Sequence, residues 1–276
     1  MTGVLNSFPY KRQLQNGSGN SSPGLKPREF FCRFFMKKDT LFKEKKDLVP
    51  PFEFNEKVVH VFDDMITRSV PLYKECVRRQ AQLAAGFYQK GTRIYDLGCS
   101  HGNFGMQFHH NMKETAFNMV AVDSSQPMLD QYQKRLKKKE FNTSLSLVCD
   151  FVENIPIANA SVVVLNLTLQ FISPDKRDGL IQSIYQGLNP GGILLLTEKV
   201  IHDTVDIDLL QQKFYRKFKR ENGYSDLEIS QKRDALEDVL VPDTLEQHRD
   251  RLMLAGFTKM DTWLKWFNFA AMLAVK

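Results

Sequence analysis

The chain has 276 residues, of which 42% are apolar and 25% are charged, and its formal net charge is +6. This length allows one large domain or two small ones, and the composition is that of an ordinary globular protein with a real hydrophobic core. No run of about 18 uninterrupted apolar residues occurs, so no membrane span is predicted. The four cysteines are far apart and form no Cys-x-x-Cys pair, which argues against a zinc cluster or a disulfide framework and favours a cytoplasmic location.

The excess positive charge is confined to the N-terminal part of the chain. Residues 1–50 hold ten Lys and Arg against four Asp and Glu, whereas residues 51–276 hold 28 basic and 28 acidic residues. This neutral body gives no support for direct nucleic-acid binding. Residues 13–24 are rich in Gly, Ser and Asn, so we predict that residues 1–35 are a disordered or dispensable extension and that residues 36–276 form a single domain. An organelle transit peptide is the alternative for this basic start.

Hydrophobic patterns predict helices and strands in alternation. Helical spacing predicts two helices, 54–66 and 71–88, before the first strand. Strands are predicted at 93–98, 117–122, 145–149, 161–167 and 192–199, with helices at 103–112, 125–138 and 174–188. Several of these strands are apolar without alternation, which is typical of parallel strands covered on both faces. The pattern therefore predicts a doubly wound α/β sheet with helices on both faces.

The pattern changes after residue 199. Two polar helical stretches, 207–223 and 226–239, indicate a helical insertion at about 203–240, which we expect to lie over the carboxyl edge of the sheet. A capped helix that begins near residue 244 and two strand-like segments, 259–265 and 267–275, complete the chain.

The first βα turn is glycine-rich and is preceded by an acid. It reads Asp96-Leu-Gly98-Cys-Ser-His-Gly102-Asn-Phe-Gly105. Ligands of open α/β sheets bind beside this turn, and glycines let a ligand approach the backbone. The Gly spacing differs from the dinucleotide fingerprint, and the Asp96 carboxylate would attract a cationic amine and repel a diphosphate. The alternative is a tight strand–helix connection without a ligand.

Polar residues at the ends of successive strands strengthen the ligand interpretation. Asp123 ends the second strand, 25 residues after Gly98, where a carboxylate can accept hydrogen bonds from ribose hydroxyls. Its alternative role is to cap the next helix, although Ser124 and Ser125 lie nearer to the helix start. Asp150 ends the third strand and Asn166 ends the fourth. Together these residues predict an adenosine-type site at one edge of the sheet.

These motifs resemble those of class I S-adenosylmethionine (SAM)-dependent methyltransferases, and longer segments resemble the carboxy-S-adenosyl-L-methionine (carboxy-SAM) synthase family. The resemblance spans about residues 36–276 and is carried by segments 61–71, 95–100, 159–171, 184–192, 218–233 and 267–269. The segment 218–233, FKRENGYSDLEISQKR, is specific to that family. The resemblance implies a Rossmann-like class I methyltransferase sheet. It also implies a transferase that converts SAM and prephenate to carboxy-SAM and phenylpyruvate, the former being used by a downstream tRNA carboxymethyltransferase on wobble uridine.

Transferred position by position, the resemblance implies SAM contacts at Tyr73, Gly98, Cys99, Ser100, Asp123, Ser124, Asp150, Phe151, Asn166 and Arg233. Arg233 is also the implied catalytic residue, because a guanidinium in a dehydrated pocket would bind the carboxylate that distinguishes the product from SAM. The alternative for Arg233 is a surface residue paired with Glu237. A homodimer is implied, and no metal is predicted.

Two other functions compete with this interpretation. A plain SAM-dependent methyltransferase acting on a nucleobase or small molecule would share the SAM-binding motifs. Arg233 distinguishes the two hypotheses, because a carboxylated methyl group needs a cation opposite it and a neutral methyl group does not. A non-catalytic nucleotide-binding or tRNA-modification scaffold is the third possibility, which the full set of SAM positions disfavours. We expect Arg68 and His101 to be ordinary surface residues. The aromatic cluster of Trp263, Trp266, Phe267 and Phe269 is expected to pack in the core or at a dimer contact, and the alternative is a stacking surface for the ring of prephenate.

Overall fold

The computed structural model describes residues 37–112, 115–138 and 144–276, so the prediction for residues 1–35 lies outside the described residues. The described residues belong to one unit, Met36–Lys276. The strands are β1 (Arg93–Leu97), β2 (Asn118–Asp123), β3 (Ser144–Cys149), β4 (Ala160–Asn166), β5 (Leu188–Ile201), β6 (Asp243–Thr244), β7 (Lys259–Trp266) and β8 (Phe269–Val275). The helices are α1 (Glu56–Val59), α2 (Phe62–Ser69), α3 (Tyr73–Phe87), α4 (Asn103–Asn111), α5 (Gln126–Leu136), α6 (Pro174–Gly187), α7 (Val205–Glu221), α8 (Asp226–Leu236) and α9 (Leu245–Ala255).

The strands of the described residues form a sheet in the order β3-β2-β1-β4-β5-β8-β7, with the short β6 beside β5. Strands β1 to β5 pair in parallel, and β8 runs antiparallel to both β5 and β7. The chain winds outward from β1 to β3, returns to β4 and continues in the other direction. The predicted doubly wound α/β sheet is confirmed.

The apolar strands supply both layers of the core. On one face, Val163 and Leu165 of β4 pack with Ile181 of α6 and Leu252 of α9. On the other face, Val162 and Val164 pack with residues of α3 and α4. Successive side chains of a strand point to opposite faces, and both faces are covered here, so an uninterrupted run of valines is required rather than an alternating one.

The helices before β1 differ from the prediction. The expected helix 54–66 is two helices, because the chain leaves helical geometry at Val61, where φ is −117° and ψ is 2°. Asn55 caps α1 by accepting hydrogen bonds from the Lys57 and Val58 amides. A run of β-branched valines lowers helix stability, which is consistent with so short an α1.

The helical insertion consists of α7 and α8, joined by a turn at Gly223, where φ is +80°. A capping box between Ser225 and Glu228 starts α8. Ala235 of α8 packs in a cluster with Phe52 and Met65, so the insertion and the N-terminal helices share one apolar layer. None of the described helices is both long and apolar enough to span a membrane.

Candidate active site

All ten residues that the sequence analysis selected line one cavity of about 760 Å³. The cavity lies at the carboxyl ends of β1 to β5, and residues of α2, α3, α7 and α8 complete its wall. The selected residues in this wall are Tyr73, Gly98, Cys99, Ser100, Asp123, Ser124, Asp150, Phe151, Asn166 and Arg233. Polar groups from separate strands thus meet at one sheet edge, as expected for a ligand site of an open α/β sheet.

The glycine turn has two different functions in the structure. Gly98 has a φ of +76°, and a Cβ there would overlap the side chain of Thr168, whose hydroxyl donates to the Leu97 carbonyl at 3.0 Å. A Cβ on Gly102 or Gly105 would instead collide with the Tyr132 side chain on α5. These two glycines therefore make room for a buried tyrosine, whereas the sequence analysis assigned them to ligand approach.

Asp123 joins the glycine turn to the second βα connection. Its Oδ2 accepts a hydrogen bond from the Ser100 amide at 2.8 Å, and its Oδ1 accepts one from the Ser125 amide at 2.9 Å. The N-cap of α5 is Ser125, which accepts from the Met128 amide, so Asp123 is not that cap. A carboxylate has about four acceptor sites, which leaves capacity for two ribose hydroxyls in the cavity.

Two side-chain oxygens of residues in the cavity wall have no partner among the described residues. Asp96 Oδ2 and Asn166 Oδ1 are buried without a hydrogen bond. Burial and the nearby Asp123 charge raise the pKa of Asp96 to about 8. Buried unpaired acceptors are rare in folded proteins, so these atoms fit a ligand that brings donors, such as an ammonium group. SAM, with its amino group, meets this requirement.

The end of β3 provides a flat apolar contact. Asp150 Oδ1 accepts from the Phe151 amide at 2.7 Å and from Asn154 Nδ2 at 2.8 Å, which fixes the turn. The Phe151 side chain is 63% exposed although it lines the cavity. A large exposed aromatic ring at a cavity wall suits packing against a planar base. Cys99, by contrast, is buried, and burial raises the pKa of its thiol, so it remains neutral.

A hydrogen-bond network that the sequence analysis missed holds Tyr73. Asn103 Nδ2 donates to the Tyr73 hydroxyl and to Asp63 Oδ1, both at 3.1 Å. His101 is buried, and its Nε2 lies 3.2 Å from the same Asp63 oxygen. Arg135 lies 2.7 Å from the other ring nitrogen of His101. The expectation that His101 is a surface residue is therefore wrong, and a sequence pattern could not reveal its partners, which come from two different helices, α2 and α5.

Arg68 is also buried, contrary to expectation. Its guanidinium pairs with Asp64 at 3.0 Å, donates to the Asn222 carbonyl at 2.7 Å and lies 3.8 Å from the centroid of the Tyr224 ring. Arg68 therefore connects α2 to the turn between α7 and α8. It does not line the cavity itself, whereas its neighbours Ile66 and Ser69 do.

Arg233 lies at the rim of the cavity. Its side chain is 62% exposed and pairs with Asp234 at 2.9 Å, with Ser230 as a further hydrogen-bond partner. In the single chain the Arg233 side chain is not enclosed in a dehydrated pocket, because most of it is exposed. The predicted alternative partner, Glu237, is replaced by Asp234.

The strand order, the glycine turn and the acids at the ends of β1 and β2 define a class I SAM-dependent methyltransferase fold. Residues 94–192 match a methyltransferase domain family. A putative SAM-dependent methyltransferase from Methanococcus maripaludis has the same fold, with a TM-score of 0.53 at 18% identity over 84% of this chain and 96% of that one.

Curated relatives give the family. The chain is 60% identical to the carboxy-S-adenosyl-L-methionine synthase of Desulforapulum autotrophicum over 87% of this chain and 98% of that protein. It is 46% identical to the synthase of the same name from Shewanella amazonensis over 86% of this chain and 98% of that protein. The chain belongs to the carboxy-S-adenosyl-L-methionine synthase family. The predicted family and the predicted carboxy-SAM synthase activity are confirmed.

This result separates the competing functions. The chain is a SAM-using transferase that makes carboxy-SAM, so the plain methyltransferase and the non-catalytic scaffold are both wrong. In the part of the chain that the structure describes, no group of three or more His, Cys, Asp or Glu residues is arranged to hold a metal ion.

Proposed function

We propose that the chain makes carboxy-SAM from SAM and prephenate, with phenylpyruvate and water as the other products. The observation that carries this proposal is the convergence on one cavity of the ten residues that the resemblance implies, in a chain 60% identical to a carboxy-SAM synthase over nearly that protein's full length. Prephenate itself follows from the sequence resemblance. The cavity is large enough for more than one small molecule, since ligand pockets commonly measure about 300–1,000 Å³.

SAM would be held by its charges and by its adenosine group. Asp96 and Asn166 would accept from the SAM ammonium, and Asp123 would accept from the ribose hydroxyls. Phe151 would pack against the adenine ring, and the second oxygen of Asp150 would accept from the adenine amine. The left-handed backbone at Gly98 and Ser100 brings main-chain groups to the same wall. These roles are supported by the two unpaired acceptors and by the exposed Phe151 ring.

The reaction balances without a further reagent. Prephenate loses its ring carboxylate as carbon dioxide and its ring hydroxyl as hydroxide, and the ring becomes the aromatic ring of phenylpyruvate. The positive sulfur acidifies the SAM methyl group, whose proton is taken by the released hydroxide to give water and an ylide. The ylide carbon then bonds to the carbon dioxide to give carboxy-SAM. The protein has to align the two substrates and keep bulk water away from the ylide.

The functional form is proposed to be a homodimer. Helix α7 exposes five large apolar side chains: Val205, Ile207, Leu209, Leu210 and Phe214. Phe267 stacks on Phe214 with ring centroids 4.7 Å apart and extends this surface. Ile207, Leu210 and Phe214 share one side of the helix at helical spacing, and exposed apolar surface of this kind supports association with a second copy of the chain. Light scattering should give the mass of a dimer, and Leu209→Lys should shift the protein toward the monomer. A monomeric wild-type protein would contradict the proposal.

The product is proposed to serve a downstream tRNA carboxymethyltransferase that modifies wobble uridine in the cytoplasm. Direct tRNA binding by this chain is not part of the proposal, because residues 51–276 carry equal numbers of basic and acidic residues. A tRNA that fails to shift in a gel with the pure protein is the expected result. Salt-dependent binding at micromolar concentration would contradict it.

The activity test is a labelling experiment. The protein is incubated with SAM and with prephenate labelled with ¹³C at the ring carboxylate, and the masses of the nucleosides are measured by mass spectrometry. We expect a nucleoside heavier than SAM by one labelled carbon dioxide, together with an equal amount of phenylpyruvate. Unlabelled carboxy-SAM would contradict prephenate as the carboxyl donor.

A further inference from the structure

The cavity wall has an excess of acids on one side and an excess of cations on the other. Carboxylates lie at the ends of β1, β2 and β3, where SAM is proposed to bind. Five cations line the part formed by β5, α7 and α8: Lys199, Arg216, Lys219, Lys232 and Arg233. SAM has a single carboxylate beside its ammonium and its sulfonium, and carboxy-SAM has two, so five cations exceed what this ligand can pair with and indicate an anionic second ligand.

Lys219 is the most informative of these cations. The residue is 7% exposed, and its ammonium lies 4.4 Å from the centroid of the Tyr215 ring. Within the described residues, no carboxylate or hydrogen-bond acceptor is found in contact with that ammonium. Lys232 differs, because its ammonium donates to Ser69 at 2.9 Å and lies 3.9 Å from Asp39. The Lys219 ammonium is thus buried against an aromatic ring and other cations, without an opposite charge from the described residues in contact.

Such an arrangement is costly for the free protein. A buried charge normally has an opposite charge or hydrogen bonds, since desolvation is expensive. Burial and the four neighbouring cations lower the pKa of Lys219 to about 7. Asp208 lies near Lys199 and already accepts hydrogen bonds from the His202 amide and the Gln212 side chain, and Asp234 and Asp39 are paired with Arg233 and Lys232. An anionic ligand would supply the missing partner.

We propose that Lys219, with Lys199 beside it, binds the carboxylate that the second substrate keeps. This inference rests on the proposed function. Prephenate has two carboxylates: the one on the ring leaves as carbon dioxide, and the one on the side chain remains in phenylpyruvate. A cation on the departing carboxylate would stabilise the ground state and oppose decarboxylation, because the charge there disappears. A cation on the retained carboxylate anchors the substrate throughout the reaction without this penalty.

The retained carboxylate is shared by substrate and product, which makes the proposal testable. Phenylpyruvate lacks the departing carboxylate, so its inhibition constant reports the retained one alone. We expect Lys219→Met to raise the inhibition constant of phenylpyruvate and the KM of prephenate by similar factors, each at least tenfold. The Kd of SAM should change less than twofold. The matched control is Lys217→Met, since Lys217 lies on the same helix with an exposed side chain paired to Glu221, and it should leave all three constants unchanged.

Stability separates this role from a structural one. Methionine keeps the length and removes an uncompensated buried charge, so the melting temperature of Lys219→Met should equal or exceed that of the wild type. A lower melting temperature with weaker SAM binding would make Lys219 structural and overturn the proposal. If Lys219→Met does not fold, Lys199→Met takes its place, with the same change in phenylpyruvate inhibition expected and an unchanged inhibition constant counting against the proposal.

The remaining outcomes are distinct. A higher KM for prephenate without weaker phenylpyruvate inhibition would assign Lys219 to the departing carboxylate and overturn the proposal. A loss confined to carboxy-SAM binding would assign it to the product carboxylate and would also overturn it. Wild-type protein that forms no phenylpyruvate from prephenate would contradict the proposed function itself, whatever the variant does.

Discussion

The Asp123 carboxylate accepts a hydrogen bond from the Ser100 amide at 2.8 Å, which connects the end of β2 to the glycine turn after β1. The same carboxylate accepts a hydrogen bond from the amide of Ser125, the residue that caps α5. One side chain thus fixes two loops of the cavity wall and remains available to a ligand. Binding and local stability are therefore coupled at this residue.

We predict that Asp123→Ala weakens SAM binding by about 10- to 200-fold, which corresponds to charge-assisted hydrogen bonds of about 1.5–3 kcal/mol. The variant should also lose about 1–3 kcal/mol of unfolding free energy, because two backbone amides lose their acceptor. Calorimetry with SAM and urea unfolding measure the two effects. Asp130→Ala, an exposed acid on α5, is the control and should change neither. Unchanged SAM affinity in Asp123→Ala would restrict Asp123 to a structural role.

A second prediction concerns the proton on Asp96. The pKa of Asp96 is about 8 in the free protein because the carboxyl is buried near Asp123. Asp96 is therefore mostly protonated at pH 7, and pairing with the SAM ammonium should lower its pKa and release a proton. The released proton is taken up by the buffer. For about one proton per SAM, calorimetric titrations at pH 7 in phosphate and in Tris should therefore differ by about the difference between the ionisation enthalpies of these two buffers. Asp96→Asn should remove most of this difference, and equal heats for the wild type in both buffers would count against the assignment.

Asp96 also has a consequence for stability. Its folded pKa is raised above the unfolded value of 3.8, so the folded state holds a proton that the unfolded state has released between pH 4 and pH 8. The stability that this group contributes is complete below about pH 4 and is lost as pH rises toward 8. Asp96→Asn should flatten this part of the stability curve.

The third prediction tests a buried ion pair beside the insertion. Arg177 on α6 is fully buried and lies 2.7 Å from Asp243, the first residue of β6. Asp243→Ala should lower the unfolding free energy by about 3–5 kcal/mol, since it leaves the guanidinium without its counter-charge. Asp178→Ala is the matched control, because exposed Asp178 pairs with Arg251, which also contacts Asp243. It should cost at most about 1 kcal/mol. Equal losses in urea unfolding would refute this distinction.

The fourth prediction concerns the N-terminal boundary. Deletion of residues 1–35 should leave the melting temperature and the turnover unchanged, as the sequence analysis predicts. Deletion of residues 1–46 should not be tolerated, because Asp39 is buried and accepts a hydrogen bond from Tyr224, while its amide donates to Asp64. Thermal melting of the two truncated proteins gives the comparison. A shorter deletion that lowers the melting temperature by several degrees would show that residues 1–35 contribute to folding.

The sequence revealed what depends on local pattern and on position along a strand. The strands, most helix bounds and the acids at the strand ends could be predicted, because parallel strands bring their carboxyl ends to one edge of the sheet. The burial of Arg68 and His101 could not be predicted, because their partners Asn222 and Asp63 are brought near by folding. The importance of Lys219 was hidden for a related reason, since a lysine in a polar helix has no local sign of burial.

The last prediction returns to Arg233. The product has a carboxylate that SAM lacks, and Arg233 on α8 lines the cavity among the other cations. Arg233 is paired with Asp234 and is 62% exposed. Replacing Asp234 by the product carboxylate as the partner of Arg233 should therefore contribute only about 1 kcal/mol to the free energy of binding. We therefore predict that Arg233→Ala weakens carboxy-SAM binding about fivefold and SAM binding less than twofold.

Asp234→Asn makes the same prediction testable in the opposite direction. This change removes the carboxylate that competes for the guanidinium and keeps the size of the side chain. Carboxy-SAM should then bind more tightly than to the wild type, by about two- to fivefold, with SAM affinity unchanged. Dissociation constants of both ligands for both variants decide the matter by calorimetry. Equal losses for SAM and carboxy-SAM in Arg233→Ala, or no gain in Asp234→Asn, would leave Arg233 as a surface residue and assign recognition of the product carboxylate to other cations of the cavity.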